Sequence, residues 1–290
     1  GTLFPYTTLF RSVQTGWAAM TDILLNACVA GASGRLGRAI AAELIRRSDT
    51  ALTGAMVRAD SVHLGADIGE LAGLAWAGVT AVVSLEEASA GAQVVIDASA
   101  PKVTAALAAR LAEAGGAALV SGVTGLSEAE QASVEAAAQS IPVLQASNFS
   151  LGVAVVERLV AEAARALRED EFDLEIRETH HRAKADAPSG TALSLGRAAA
   201  DARGAGLDKV AAYDRPRTGG RRPVGEIGFS VQRGGGVIGE HEARFLSRFE
   251  EVSIGHRAFD RHIFARGAVE AALWIADKPA GLYTMQDVVG

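Results

Sequence analysis

"ACVAGASGRLGRAIAAELIRR", residues 27–47, opens on a short apolar run, passes through a glycine turn and closes with Leu36, Ile40, Leu44 and Ile45 on one helical face. This is a βα unit. In that context Gly31 makes the turn, Gly34 lets a pyrophosphate approach the backbone, and Gly37 lets the helix pack closely. Free amides at the helix start, aided by the helix dipole, favour the negative charge of a pyrophosphate. The spacing is GxxGxxG and not the stricter GxGxxG, so a plain βα turn with packing glycines stands as the alternative.

Further strands are expected at 51–57, 80–84, 92–99, 117–122 and 141–147, with helical stretches between the later ones. Strands apolar on both faces, alternating with helices, specify an α/β fold with a doubly wound, Rossmann-like parallel sheet. The character changes after Asn148. A helix is expected at 152–169, then an alternating strand "EFDLEIRETHH" (171–181), a helix at about 189–203, a glycine-, arginine- and proline-rich loop at 218–228, and strands near 226–233, 237–247 and 251–259. The last helix, 262–277, is positioned to pack back on the first unit. The expected division is therefore a dinucleotide-binding domain of residues 20–148 and 261–290, and a smaller α+β substrate domain of residues 149–260 with a mixed sheet.

"TLFPYTTLFRS" (2–12) has no helical or strand period and none of the marks of a signal peptide. It is what a sequencing-adapter oligonucleotide would encode. Residues 1–19 are therefore expected to be a non-native leader, with translation starting near Met20.

With 290 residues, 49% hydrophobic and 21% charged, the chain is an ordinary globular protein of one large or two ordinary domains. A formal net charge of −6 argues against nonspecific nucleic-acid binding and leaves room for a local basic pocket. The single Cys28 excludes an intrachain disulfide and any multi-cysteine metal site, and fits a reducing, cytoplasmic compartment. No apolar run is long enough to span a bilayer, so no membrane partner is expected.

The second strand ends "GAMVRAD" (54–60). An acid at that strand end would bind the ribose hydroxyls of NADH and repel a 2′-phosphate. Val57 stands there instead, followed by Arg58, which favours NADPH over NADH, with Arg35 as a second cation. The bland reading of Arg58 is a solvated surface residue.

"HHRAKADAPSGTAL" (180–193) gathers proton donors and anion binders. Histidine suits proton donation near neutral pH, and lysine adds a positive charge for an anionic substrate. Ser189 is placed as an N-cap, with Gly190 and Thr191 in the first turn, where their amides would clasp a carboxylate. A metal site built on His180, His181 and Asp186 is the rival, but no further Cys or His lies at ligand spacing, so no metal is expected.

Around this cluster, "EIRETHHRAKADAPSGTA" (175–192) resembles the signature of the 4-hydroxy-tetrahydrodipicolinate (dihydrodipicolinate) reductase family. The similarity extends through "VAGASGRLGR" (29–38), "GVTG" (122–125), "SNFSLGV" (147–153), "GEIGFSVQRGG" (225–235), "GEHEARF" (239–245) and "GLYTMQDVV" (281–289). The resemblance implies NAD(P)H-dependent reduction of 4-hydroxy-tetrahydrodipicolinate, a dicarboxylate, to tetrahydrodipicolinate in the diaminopimelate route to lysine. It makes His180 the proton donor, with Lys184 its partner, and His181, Gly190 and Thr191 binders of the substrate carboxylates. It lays the cofactor, NADPH or NADH, along Gly31, Ala32, Ser33, Gly34, Arg35 and Leu36, with Arg58 near the adenosine ribose. Gly122, Val123, Thr124, Ala146, Ser147, Asn148 and Phe149 would complete the cofactor contacts. A homotetramer, paired through the second sheet, is implied as well. The chain departs from the family pattern at Val57, at Val123 and at "ASAP" (98–101). Two rivals remain: another two-domain NADP-dependent dehydrogenase, for example of a semialdehyde, and a non-enzymatic NADP sensor.

Overall fold

A computed structural model describes residues 24–290, and the leader expected at 1–19 lies outside the described residues. In chain order the first elements are β1 (Leu25–Ala30), α1 (Arg35–Arg46), β2 (Thr50–Met56), α2 (Ile68–Leu71), β3 (Ala81–Val82), α3 (Leu85–Ala88), β4 (Val94–Asp97), α4 (Pro101–Ala114), β5 (Ala118–Ser121), α5 (Glu128–Ala137), β6 (Pro142–Gln145) and α6 (Leu151–Ala166). There follow β7 (Asp173–His180), α7 (Gly190–Ala202), α8 (Leu207–Val210), β8 (Ala211–Ala212), α9 (Arg215–Thr218), β9 (Ile227–Arg233), β10 (Gly239–Leu246), β11 (Glu251–Ala258), α10 (His262–Ile275), β12 (Gly281–Tyr283) and α11 (Met285–Val288).

The first sheet has seven strands in the order β12-β6-β5-β4-β1-β2-β3, and every pairing is parallel. Strands β4 and β5 are buried throughout, as a parallel sheet covered on both faces requires. The chain winds outward from β1 to β2 on one side and to β4 on the other, so the crevice beyond their carboxyl ends is a topological switch point. Gly31 turns there at φ +76°, and a Cβ on it would sit 2.6 Å from the Ala98 carbonyl oxygen. A Cβ on Gly37 would collide with the Gly31 carbonyl, so α1 docks on its own turn only with glycine at that position. At the end of β4 the buried Asp97 carboxylate is matched by the hydroxyls of Ser99, Thr104 and Ser121. The strand expected at 80–84 shrinks to two residues because it is the sheet edge, where short strands limit unpaired backbone.

The second sheet runs β11-β10-β7-β9-β8 and is mixed: β10 is antiparallel to both neighbours, whereas β7, β9 and β8 are parallel. Val156 and Val160 of α6 and Leu195 and Ala199 of α7 share one core with Leu174, Ile176, Ile227 and Phe245, covering a single face. The period of two along β7 puts Leu174, Ile176, Glu178 and His180 on that covered face, so an apolar stripe ends in two polar groups. Those groups must find partners within the protein.

The chain then returns to the first unit. Ala265, Ala268, Val269 and Ile275 of α10 join the core of the parallel sheet, and β12 pairs with β6. Among the described residues no helix is long and apolar enough to cross a membrane.

Candidate active site

The carboxyl ends of the first sheet face the end of β7 across a cleft of about 550 Å³. Leu36, Gly122, Thr124, Ala146, Ser147, Asn148 and Phe149 line it from one side, and His180, His181, Lys184, Ser189, Gly190 and Thr191 from the other. The Asn148 amide donates to Thr191 Oγ1 at 3.0 Å, tying the two sides together.

His180 Nδ1 lies 2.6 Å from Glu178 Oε2. Glu178 is 1% exposed and carries three further donors: the Arg233 guanidinium grips both oxygens at 2.8 Å, and the Ser189 amide donates to Oε1 at 2.9 Å. Burial pushes the Glu178 carboxyl up, but Arg233, His180 and the Ser189 amide more than offset this and hold it below the usual carboxylate range. Burial lowers His180 below its ordinary 6.5; Glu178 opposes the shift, and the cations Lys184 and Arg233 reinforce it. Near pH 7 the pair is therefore a neutral imidazole donating its Nδ1 proton to a carboxylate, which leaves Nε2 as its second ring nitrogen. Lys184 Nζ is 2.9 Å from the exposed Asp186.

Ser189 caps α7 as the sequence requires, its Oγ accepting from the Ala192 amide at 3.2 Å. The first turn of α7 thus lies beside Lys184 and His181, and its amides suit an anion.

On the cofactor side, the amides of Gly31 and Ala32 already donate to the Met56 carbonyl, at 2.9 and 3.1 Å, and Ser33 offers its carbonyl to Arg38. Among the described residues no side chain caps α1 at Gly34, which leaves its first-turn amides, from Arg35 onward, suited to an anion. A nicotinamide dinucleotide fits this end. The Val57 side chain is buried in the core and offers no carboxylate at that position, while the Arg58 side chain is 81% exposed, its Nε 3.5 Å from Asp60 Oδ1. Gly31, Ala32, Ser33, Gly34, Arg35, Arg58 and Val123 do not line the cleft itself; Val123 borders a neighbouring hollow with Thr124.

Sequence reasoning gave no role to Glu178, Arg233 or His241. The signal was present for two of them: the alternations in β7 and β10 place Glu178 and His241 on buried faces, where a polar side chain requires a partner. Arg233 ends β9 beside them, and nothing local in the sequence marks it. Among the described residues no group of three or more His, Cys, Asp or Glu is arranged to hold a metal ion.

Residues 25–149 match the family model described as dihydrodipicolinate reductase, N-terminus, and residues 152–289 match that described as dihydrodipicolinate reductase, C-terminus. The chain belongs to the dihydrodipicolinate reductase family. The 4-hydroxy-tetrahydrodipicolinate reductase of Caulobacter vibrioides is 47% identical over 262 residues, covering 90% of this chain and 96% of its own length. That of Pseudomonas fluorescens is 45% identical, covering 90% and 97%. A solved dipicolinate-bound dihydrodipicolinate reductase from Paenisporosarcina sp. TG-14 superposes with a TM-score of 0.71 at 18% identity, over 90% of this chain and 97% of that one. An amine dehydrogenase from Mycobacterium smegmatis reaches 0.57 at 13% identity over 90% and 95%, so the dihydrodipicolinate reductase architecture is shared with other dehydrogenases.

Burial also presses the His241 imidazole down, to about 3. Unfolded, this histidine takes up a proton at its ordinary 6.5; folded, it does so only near 3. Between those values the unfolded chain binds more protons, so stability falls as pH falls, by about 1.4 kcal/mol per pH unit. His180 and His256, both lowered chiefly by burial, act in the same direction. Urea midpoints measured from pH 7 to pH 5 should decline, and a His241→Phe variant should lose part of the slope. A flat profile in the parent would contradict the buried-neutral assignment.

Proposed function

We infer that this chain reduces 4-hydroxy-tetrahydrodipicolinate to tetrahydrodipicolinate with NAD(P)H, in the diaminopimelate route to lysine. The observation that carries this is the meeting, in one cleft, of a carboxylate-braced histidine, a lysine and the open end of α7 with the carboxyl ends of a dinucleotide-type sheet. The substrate's 4-hydroxyl leaves as water to give the conjugated imine dihydrodipicolinate, and the cofactor, when bound, would supply hydride to it. His180 donates the proton that quenches the resulting charge on the ring, and Glu178 stabilises the imidazolium while it exists. Lys184 balances the negative charge of the dicarboxylate, which His181, Ser189, Gly190 and Thr191 hold. Gly31, Ala32, Ser33, Gly34, Arg35 and Leu36 hold the cofactor pyrophosphate; Gly122, Val123, Thr124, Ala146, Ser147, Asn148 and Phe149 border its nicotinamide end. Residues 149–260 form the substrate domain, and a cytoplasmic homotetramer completes the proposal.

The test follows nicotinamide oxidation with substrate made in situ from pyruvate and aspartate semialdehyde by a coupling synthase. Rapid oxidation that collapses in Lys184→Ala supports the reading; a folded, cofactor-binding protein that oxidises nothing overturns it.

The buried Val57 and exposed Arg58 favour NADPH over NADH. Because Arg58 is solvent-screened, Arg58→Ala should raise the KM for NADPH by only about fivefold, roughly 1 kcal/mol, and leave that for NADH unchanged. Equal catalytic efficiencies of the parent with the two cofactors would sink the preference.

A further inference from the structure

His241 is 6% exposed and has so far no part in the chemistry. It stands on β10 with its ring edge-on to His180, centroids 5.0 Å apart, and with Nε2 2.9 Å from Ser189 Oγ. Its Nδ1 is buried and has no hydrogen-bond partner among the described residues. Ser189 lines the cleft, and its Oγ already accepts from the Ala192 amide.

These contacts choose between two neutral tautomers. With the proton on Nδ1, a buried N–H is left with no acceptor, and the Ser189 hydroxyl must turn inward to donate to Nε2. With the proton on Nε2, that N–H donates to Ser189 Oγ and only a lone pair is left bare at Nδ1. An orphaned buried donor is rarer and costlier than an under-used acceptor, so the second arrangement wins. Ser189 Oγ then accepts from two N–H groups, which occupy both lone pairs, and its own hydrogen is directed away from them.

We propose that His241, as the Nε2–H tautomer, is a positioning residue that turns the Ser189 hydroxyl hydrogen into the cleft as a third donor, beside the α7 amides, for a substrate carboxylate. The inference rests on the dicarboxylate reading of the cleft. Burial keeps His241 neutral throughout the working pH range, so it orients a hydroxyl and leaves proton donation to His180.

A cross-strand neighbour sharpens the contrast. His256 faces His241 in the β10–β11 register, and its Nε2 lies 3.4 Å from Ser150 Oγ, the cap of α6. Ser150 does not line the cleft, so this second pair positions a helix without supplying a donor.

The decisive experiment is ¹⁵N NMR of the histidine rings in the parent protein, free and with pyridine-2,6-dicarboxylate. The Nε2–H tautomer of His241 is expected in both states; an Nδ1–H tautomer overturns the proposal, and this readout needs no variant to fold. Titration of the same dicarboxylate should show about tenfold weaker binding in Ser189→Ala and in His241→Leu. His241→Gln, whose amide reaches the Nε2 position, should recover most of the His241→Leu loss, and His241→Asn should not. Equal Kd values in parent and His241→Leu also overturn the proposal. A folded parent that binds no dicarboxylate overturns the dicarboxylate reading itself, and this inference with it.

Discussion

His180→Gln should lower kcat by about 10²–10⁴-fold, the usual contribution of a positioned general acid, while leaving the fold and cofactor binding in place. Glutamine fills much of the imidazole volume and can still donate to Glu178, but it has no proton to give at neutral pH. The pH profile of the parent makes the assignment specific. Burial, reinforced by Lys184 and Arg233, lowers His180 below 6.5 in the free protein, so the protonated form is lost as pH rises through that lowered value. The profile of kcat/KM should therefore fall from the acid side. A bound dicarboxylate puts negative charge beside the ring and raises its pKa, so the fall in kcat should lie at higher pH than that in kcat/KM. Coincident profiles, or a glutamine variant within threefold of the parent, would show that the proton comes from elsewhere.

Glu178→Ala should cost about 3 kcal/mol of stability, which for a chain of this size is roughly a 6–12 °C drop in Tm. The carboxylate is 1% exposed and is the shared acceptor of Arg233, His180 and the Ser189 amide. Its removal leaves the guanidinium, only 20% exposed, without its counter-charge and leaves the Ser189 amide unpaired. Because a buried ion pair is worth little beyond an apolar replacement, Glu178→Leu with Arg233→Met should be more stable than Glu178→Ala alone. Glu178→Gln separates catalysis from folding: it keeps the shape, loses the charge that favours the imidazolium, and should lower kcat by about 10²-fold with a smaller loss of Tm. Thermal melts beside steady-state rates decide the matter. If Glu178→Gln retained full kcat, Glu178 would be a structural anchor only.

The doubly wound sheet was legible because its strands are buried on both faces and its first turn needs glycine at Gly31 and Gly37. The mixed sheet was legible in its alternation, and "HHRAKADAPSGTAL" was legible because its residue types are chemically unusual together. Three of the features that escaped have a plain physical reason. β12 is three residues long, too short to carry a period, and only its pairing with β6 defines it. Arg233 lies 55 residues from Glu178, so the fork exists only once β9 aligns with β7. The uses of the glycine-turn amides depended on the Met56 carbonyl, which no reading of one segment reveals.

The return of α10 and β12 to the first sheet bears on how the protein is made. Ala265, Ala268, Val269, Ala272 and Ile275 complete a core whose other side, from Leu25 to Leu144, leaves the ribosome more than a hundred residues earlier. Until α10 emerges, the part of that core it covers stays open, whereas the mixed-sheet unit has all its strands by Ala258. The intervening unit can therefore close first during synthesis, and the sheet begun at β1 is the last to be sealed, exposed for the longest time to chaperones and to misassembly.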